Sequence, residues 1–273
     1  MKKKIFAGAL LLCLCLCAGL LWQSRAPQRA EMAPAATATA GPKVMVLNYH
    51  KIEDKLNALC VPPQDFEMQL QFLKENGYNT ITPHELVMAL TEGAELPANP
   101  VIITFDDGYS DNYHRAFPLL KKYGMKATIF TVTSFMDKNI YGYLSWAQAK
   151  EMQDSGLVNI ESHTHNHHAL TDLTAEQCRA ELAQSKKEIE EKLGKPCEFV
   201  AYPTGTYDLQ IAELVKEEGY LGGFSIRFSN VDMDSNVYAL ERMPIFHTEN
   251  TMRSFYDRMQ YVPYFDHYGW EKN

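Results

Sequence analysis

The sequence predicts an α/β fold, a distorted (β/α) barrel of seven or eight units in one domain. Three observations carry that expectation. From Lys43 onward, short β-branched runs alternate with amphipathic helical segments, the pattern of parallel strands joined by crossover helices. No Gly-x-Gly-x-x-Gly follows any run, which disfavours the alternative, a doubly wound open sheet. Finally, His50, Asp106, Asp107, His163, the 202–205 turn and His247 each fall directly after a run. In a barrel those strand ends share one rim, where sites are built.

Residues 44–49 form the first strand, ending at His50. Phe66, Leu70 and Leu73 stand at helical spacing in the next segment, closed by Gly77. Residues 78–81 are a second strand, and Thr82-Pro83-His84-Glu85 then joins a capping box to a proline at the first helical position. The third strand, 101–105, runs into Asp106-Asp107-Gly108. Alternation sends the two carboxylates in different directions, and Gly108 permits a sharp turn. A helix over 110–123 closes at Gly124, and strand 126–132 follows. Ser145 caps a helix that ends near Gly156, ahead of strand 158–162. Thr174 caps a long charged helix ending at Leu193-Gly194, followed by strand 198–202, helix 208–218 and strand 221–226. A strand over 239–246 and a helix over 252–259 complete the pattern.

Ahead of this domain, 43–273, stand two other segments. Lys2, Lys3 and Lys4 precede an uncharged apolar run over 5–22, so residues 1–25 read as a signal anchor or a cleaved signal peptide. Residues 26–42, rich in Ala, Pro and Thr, have the composition of a flexible linker. Both put the domain outside the cytoplasm, held at the membrane if the anchor persists. The chain has 26 Lys and Arg and 34 Asp and Glu; less the five and one in the first 42 residues, the domain keeps 21 against 33. A charge of that sign argues against a nucleic-acid partner. Cys60, Cys178 and Cys197 are too few for a disulfide framework.

Four histidines, His163, His165, His167 and His168, crowd into six residues at a strand end. Two imidazoles and a carboxylate make the three-donor set of a catalytic, zinc-type site with open positions, although other borderline divalent ions suit the same donors. Tyr109, Tyr141, Tyr143, Trp146 and Tyr207 lie in loops or near the rim, where aromatic rings can stack on a ligand.

Thr104-Phe105-Asp106-Asp107-Gly108, Ser162-His163-Thr164-His165-Asn166-His167 and Tyr202-Pro203-Thr204-Gly205, in that order, resemble the polysaccharide deacetylase family, carbohydrate esterase family four. Leu47-Asn48-Tyr49-His50 and Leu240-Glu241-Arg242-Met243-Pro244 resemble its envelope-associated bacterial members. The resemblance implies a distorted barrel and metal-dependent removal of acetyl groups from sugars. By position it makes Asp106 the general base and Asp107, His163 and His167 the metal ligands, with His168 as the alternative to His167. It implies a divalent ion, zinc first, with cobalt, nickel or manganese as alternatives. It makes the amide of Thr204 the oxyanion donor, with Tyr202 and His50 lining the substrate site. The chain departs from the family at Ala201 and Thr204, where arginine and tyrosine are common, and no tryptophan-bearing fourth motif is recognisable over 229–238. Arg242 is therefore the candidate to steady Asp106, and His247 the candidate general acid. The expected activity is N-deacetylation of an N-acetylglucosamine-containing envelope polysaccharide, such as peptidoglycan or poly-N-acetylglucosamine. An O-acetyl glycan esterase and a catalytically silent carbohydrate-binding protein are the alternatives.

Overall fold

The computed structural model describes residues 43–260; the expected anchor, the linker and the last residues of the expected domain lie outside them. The chain runs β1 (Met45–Tyr49), β2 (Lys51–Ile52), β3 (Cys60–Val61), α1 (Pro63–Glu75), β4 (Asn79–Thr80), α2 (Pro83–Glu92) and β5 (Pro100–Phe105). A π-helical turn (Asn112–Ala116) leads into α3 (Phe117–Tyr123), then β6 (Ala127–Thr131), α4 (Thr133–Asp137), α5 (Trp146–Asp154) and β7 (Val158–Ser162). After a 3-10 turn (Leu170–Asp172) come α6 (Ala175–Leu193), β8 (Phe199–Ala201), α7 (Leu209–Glu217), β9 (Gly222–Phe224), β10 (Met243–Pro244) and α8 (Thr251–Met259). Among the described residues no helix is long and apolar enough to cross a membrane.

The main sheet is parallel, in the order β10-β1-β5-β6-β7-β8-β9, with β4 pairing the start of β5. Its two ends are linked by one segment. Leu240 forms a parallel bridge with Phe224, at the end of β9, and three residues later Met243 pairs with Leu47 and Pro244 with Asn48 of β1. The sheet thereby curls into the distorted (β/α) barrel that the alternation of elements predicts. Side-chain parity divides the core in two. Val46, Ile102, Phe130, Phe199, Ala201 and Phe224 pack in one cluster, which α2 joins through Leu86 and Val87. Their chain neighbours Leu47, Ile103, Ile129, Val200 and Tyr202 belong to the other, with the remaining helices. Polar residues continue the first face toward the strand ends: Asn48 after Val46, then Thr104 and Asp106 after Ile102.

Local chemistry accounts for the element starts. Each of Thr82, Ser145 and Thr174 forms a complete capping box, with Glu85, Gln148 and Gln177 respectively. The structure departs from expectation where the signal is not local. The helix expected over 110–123 opens as a π turn, because Pro118 has no amide to donate to the carbonyl four residues back and Phe117 N–H bonds instead to Asn112 O. The strand expected over 239–246 is divided between two neighbours, Leu240 bridging Phe224 of β9 and Met243 and Pro244 pairing with β1, because the segment crosses from one end of the sheet to the other. The parallel pair β2–β3 and the short α4 carry no sequence pattern long enough to announce them.

Candidate metal centre

Asp107 leaves β5 with φ of +71°, and Gly108 follows at +73°. A side chain at Gly108 would approach Thr131 Cγ2 to 2.9 Å and Thr131 Cα to 3.3 Å, so only glycine accommodates both the turn and the neighbouring strand. This turn brings Asp107 Oδ1 to 3.4 Å from His163 Nε2 and 3.2 Å from His167 Nε2. The donor atoms of the three residues all lie within 4.8 Å of one another. His163 continues the inner face of β7, whereas His167 reaches inward from a loop with φ of +62°.

This donor set fits a divalent cation. His163 Nδ1 lies 2.8 Å from the Ala201 carbonyl oxygen, which fixes the proton on Nδ1 and leaves a lone pair on Nε2. A tetrahedral ion about 2.0–2.1 Å from each donor would space them about 3.3–3.4 Å apart, close to the two distances observed. Burial pushes Asp107 up, but the hydrogen bonds of His163 and His167 and the charges of His163 and His50 outweigh it and hold the carboxyl well below the usual range. Burial pushes His163 down, and the carboxylates of Asp106 and Asp107 reverse this and leave it above its ordinary value. The field that favours a proton at this point favours a cation equally. His165 and His168 point elsewhere: His165 Nδ1 is 3.0 Å from Glu188 Oε2, and His168 Nδ1 is 3.6 Å from Glu181 Oε1. Of the two alternatives at the second histidine position, His167 is the one beside Asp107.

Asp106 is 3 % exposed. Arg242, wholly buried, donates to both its oxygens at 2.7 and 2.8 Å, and Asn48 Nδ2 adds a third bond at 2.9 Å. Burial raises the Asp106 carboxyl, yet Arg242 foremost and then His163 and His50 bring it below its ordinary value. Arg242 is itself anchored by Nε to the Ser225 carbonyl at 2.8 Å. In the sequence Asn48 stood out only within the Leu47-Asn48-Tyr49-His50 resemblance, which assigned it no role.

The other expected site residues are placed as follows. His50 ends β1 within the field of Asp106 and Asp107; burial nevertheless depresses its pKa, and its Nδ1 has no hydrogen-bond partner among the described residues. Thr204 has φ of +61°. The first bond of its turn is Gly205 N–H to Tyr202 O, which puts the Thr204 N–H among the amides a helical turn leaves without an internal acceptor. Tyr202 does not line the site with its side chain: it has outer-face parity, and its hydroxyl donates to the Tyr238 carbonyl at 2.6 Å. His247 follows β10 with Nδ1 2.9 Å from the Lys55 carbonyl oxygen. Tyr109 touches Asp107 and stacks on Tyr143 with ring centroids 4.9 Å apart.

YxkH of Bacillus subtilis (strain 168), whose name refers it to the polysaccharide deacetylases, is 38 % identical over 203 residues, 74 % of this chain and 71 % of YxkH. The chain belongs to the polysaccharide deacetylase family. The profile of that family, Polysaccharide deacetylase, matches residues 93–222. The poly-beta-1,6-N-acetyl-D-glucosamine N-deacetylase of Staphylococcus epidermidis is 29 % identical over 225 residues, 73 % of this chain and 78 % of that protein. Among solved structures, the Streptococcus pyogenes deacetylase PplD in complex with acetate superposes with a TM-score of 0.76 at 27 % identity, covering 81 % of this chain and all of that one. Polysaccharide deacetylases of this family are metal-dependent hydrolases, and the Asp107, His163 and His167 cluster is a site of the kind they require.

Proposed function

We propose that the chain hydrolyses N-acetyl groups of an N-acetylglucosamine-containing envelope polysaccharide, outside the cytoplasm, with zinc held by Asp107, His163 and His167. The observation that carries the reading is the juxtaposition of a three-donor cluster with an ionised carboxylate, Asp106, clamped by Arg242. The Staphylococcus epidermidis relative supports poly-β-1,6-N-acetylglucosamine as the substrate, with peptidoglycan next, and the apolar run over 5–22 supports tethering at the membrane.

When bound, zinc would acidify the attacking water and polarise the acetyl carbonyl. Asp106 takes the proton of that water; Arg242 and Asn48 fix both its oxygens, so no side-chain ordering is left for the reaction step. The Thr204 N–H is the proposed donor to the developing oxyanion. The carbon–nitrogen bond then breaks, acetate departs, and the amine leaves with a proton supplied by an imidazole. His247 is the sequence-based candidate for that donor. His50 stands in the field of both carboxylates, but burial lowers its pKa and disfavours the imidazolium that a general acid must be, so His247 keeps that role.

The test is acetate release by the full chain after chelation, reloaded with one metal at a time, on β-1,6 and β-1,4 N-acetylglucosamine oligomers, peptidoglycan and O-acetylated xylan. Zinc-restored release from an N-acetylated substrate, abolished in Asp106→Asn with metal still bound, is expected. Release from the O-acetylated substrate alone, or none from any, would overturn the reading.

A further inference from the structure

His165, Asn166 and His168 are interleaved with the proposed ligands but do not join them, and one face of α6 meets this loop. Glu181, Ser185 and Glu188 recur at helical spacing, so they line a single stripe, and they are 7 %, 0 % and 8 % exposed. A buried polar stripe on a helix that is otherwise apolar inward (Leu182, Ile189) and charged outward requires polar partners. Each residue of the stripe has one in the ligand loop or in the strand residue that leads into it. Glu181 accepts the Asn166 backbone N–H at 2.7 Å and its side-chain amide at 2.8 Å. Ser185 Oγ lies 2.7 Å from Ser162 Oγ, which accepts the Thr164 N–H at 3.1 Å. Glu188 lies 3.0 Å from His165 Nδ1.

The loop needs such support. Thr164 and His167 have φ of +66° and +62°, in the left-handed region that non-glycine residues hold only when their surroundings over-determine it. On its other side the first amides of α4 donate to it, Thr133 N–H to Thr164 O at 3.3 Å and Ser134 N–H to His165 O at 3.0 Å. Within the loop, His167 N–H bonds to Thr164 Oγ1 at 3.2 Å. Asn166 immediately precedes His167, so the two-pronged grip of Glu181 fixes the peptide from which the His167 ring is aimed at Asp107.

We propose that Glu181 is a positioning residue for the metal centre, acting through Asn166 on His167, with Ser185 and Glu188 holding the neighbouring loop residues. The inference rests on Asp107, His163 and His167 being metal ligands. It extends the centre to a helix that supplies no ligand, and it accounts for the interleaved histidine and asparagine as parts of the support.

The experiment titrates the metal-free full chain with Co²⁺ alone, read by its visible spectrum, and with Zn²⁺ against a chromophoric chelator. The variants are Glu181→Gln, Glu181→Ala, Asn166→Ala and the Glu181→Ala/Asn166→Ala pair. Loss of a direct outer partner of a metal ligand weakens binding about 10–100-fold, and Glu181, which grips the residue before His167, should act at the lower end of that range. Affinity is expected to fall in the order wild type, Glu181→Gln, Glu181→Ala, with an altered cobalt spectrum and a thermal midpoint for the metal-free protein close to wild type in Glu181→Gln. The double variant should be no weaker than either single one, because both remove the same link. Wild-type affinity and spectrum in a folded Glu181→Gln and Asn166→Ala, or strictly additive losses in the pair, would overturn the proposal. Failure of the wild-type chain to bind either ion would instead overturn the reading of the centre itself.

Discussion

Replacing Arg242 with glutamine isolates what the buried guanidinium does for Asp106. In the native chain two charge-assisted bonds of 2.7 and 2.8 Å join side chains that are 0 % and 4 % exposed. Glutamine offers at most one neutral bond, leaving the carboxylate desolvated with Asn48 as its remaining partner of that kind. A neighbouring arginine lowers a carboxyl pKa by about 1–3; without it, the burial that opposes ionisation prevails. The acid limb of kcat/KM should move up by about that amount. Removing one partner of a buried pair costs about 3–5 kcal/mol at neutral pH. The native Asp106 is held below its ordinary 3.8, so its stabilisation is present above 3.8 and lost as pH falls through the lower folded value. In the variant the folded value lies above 3.8, so stability is lost as pH rises through it, and the deficit against wild type shrinks on acidification. Urea unfolding of the metal-free proteins in neutral and mildly acidic buffer, with the pH–rate profile of the zinc-loaded enzymes, measures both effects. An unmoved acid limb together with a deficit independent of pH would refute the reasoning and make Arg242 a packing residue.

The remaining predictions concern the rim and, in the last case, the strand beneath it. Gly108→Ala should cost about 1–2 kcal/mol from the left-handed backbone alone and weaken zinc binding further by displacing Asp107, seen by calorimetric titration. Zinc affinity should fall on acidification, beginning above the ordinary histidine value of 6.5, because His163 is held above it and must lose its proton to bind; affinity measured across pH checks this. His247→Ala should lower kcat far more than His50→Ala with metal content unchanged, and the reverse order would move the proton donor to His50. Glu161→Ala should destabilise the fold by about 3–5 kcal/mol, since it strands Lys195 Nζ and the amides of Glu198 and Phe199, all within 2.9 Å of the Glu161 carboxylate.

Legibility in the sequence tracked the range of the interactions. The three capping boxes and strand β7 were readable because their causes lie within a few residues. That a carboxylate and two of the four histidines could meet was readable at the strand ends, since a barrel delivers those ends to one rim, whereas the choice of Asp107, His163 and His167 rested on the family resemblance. The pairing of Arg242 with Asp106, 136 residues apart, could be posed only as a candidate, because nothing local encodes it. The stripe on α6 was not readable at all: glutamates on a charged helix look solvated until the loop they meet is known. Tyr202, expected to line the site, instead faces the helices, because it stands one residue beyond the inward Ala201.

The segment over 240–244 has a consequence for where this enzyme can be divided. It joins the last strand of the sheet to the first and also contributes Arg242, while β1 contributes Asn48. The stretch matched by the family profile, 93–222, includes Asp106 and all three proposed ligands but neither of those partners. Excised at those limits it would expose the flank of β5 to which β1 pairs, and would leave the carboxylate of Asp106 without its counter-charge. The smallest autonomous unit is therefore set by ring closure rather than by motif content, and a truncation that spares every motif can still abolish both solubility and turnover.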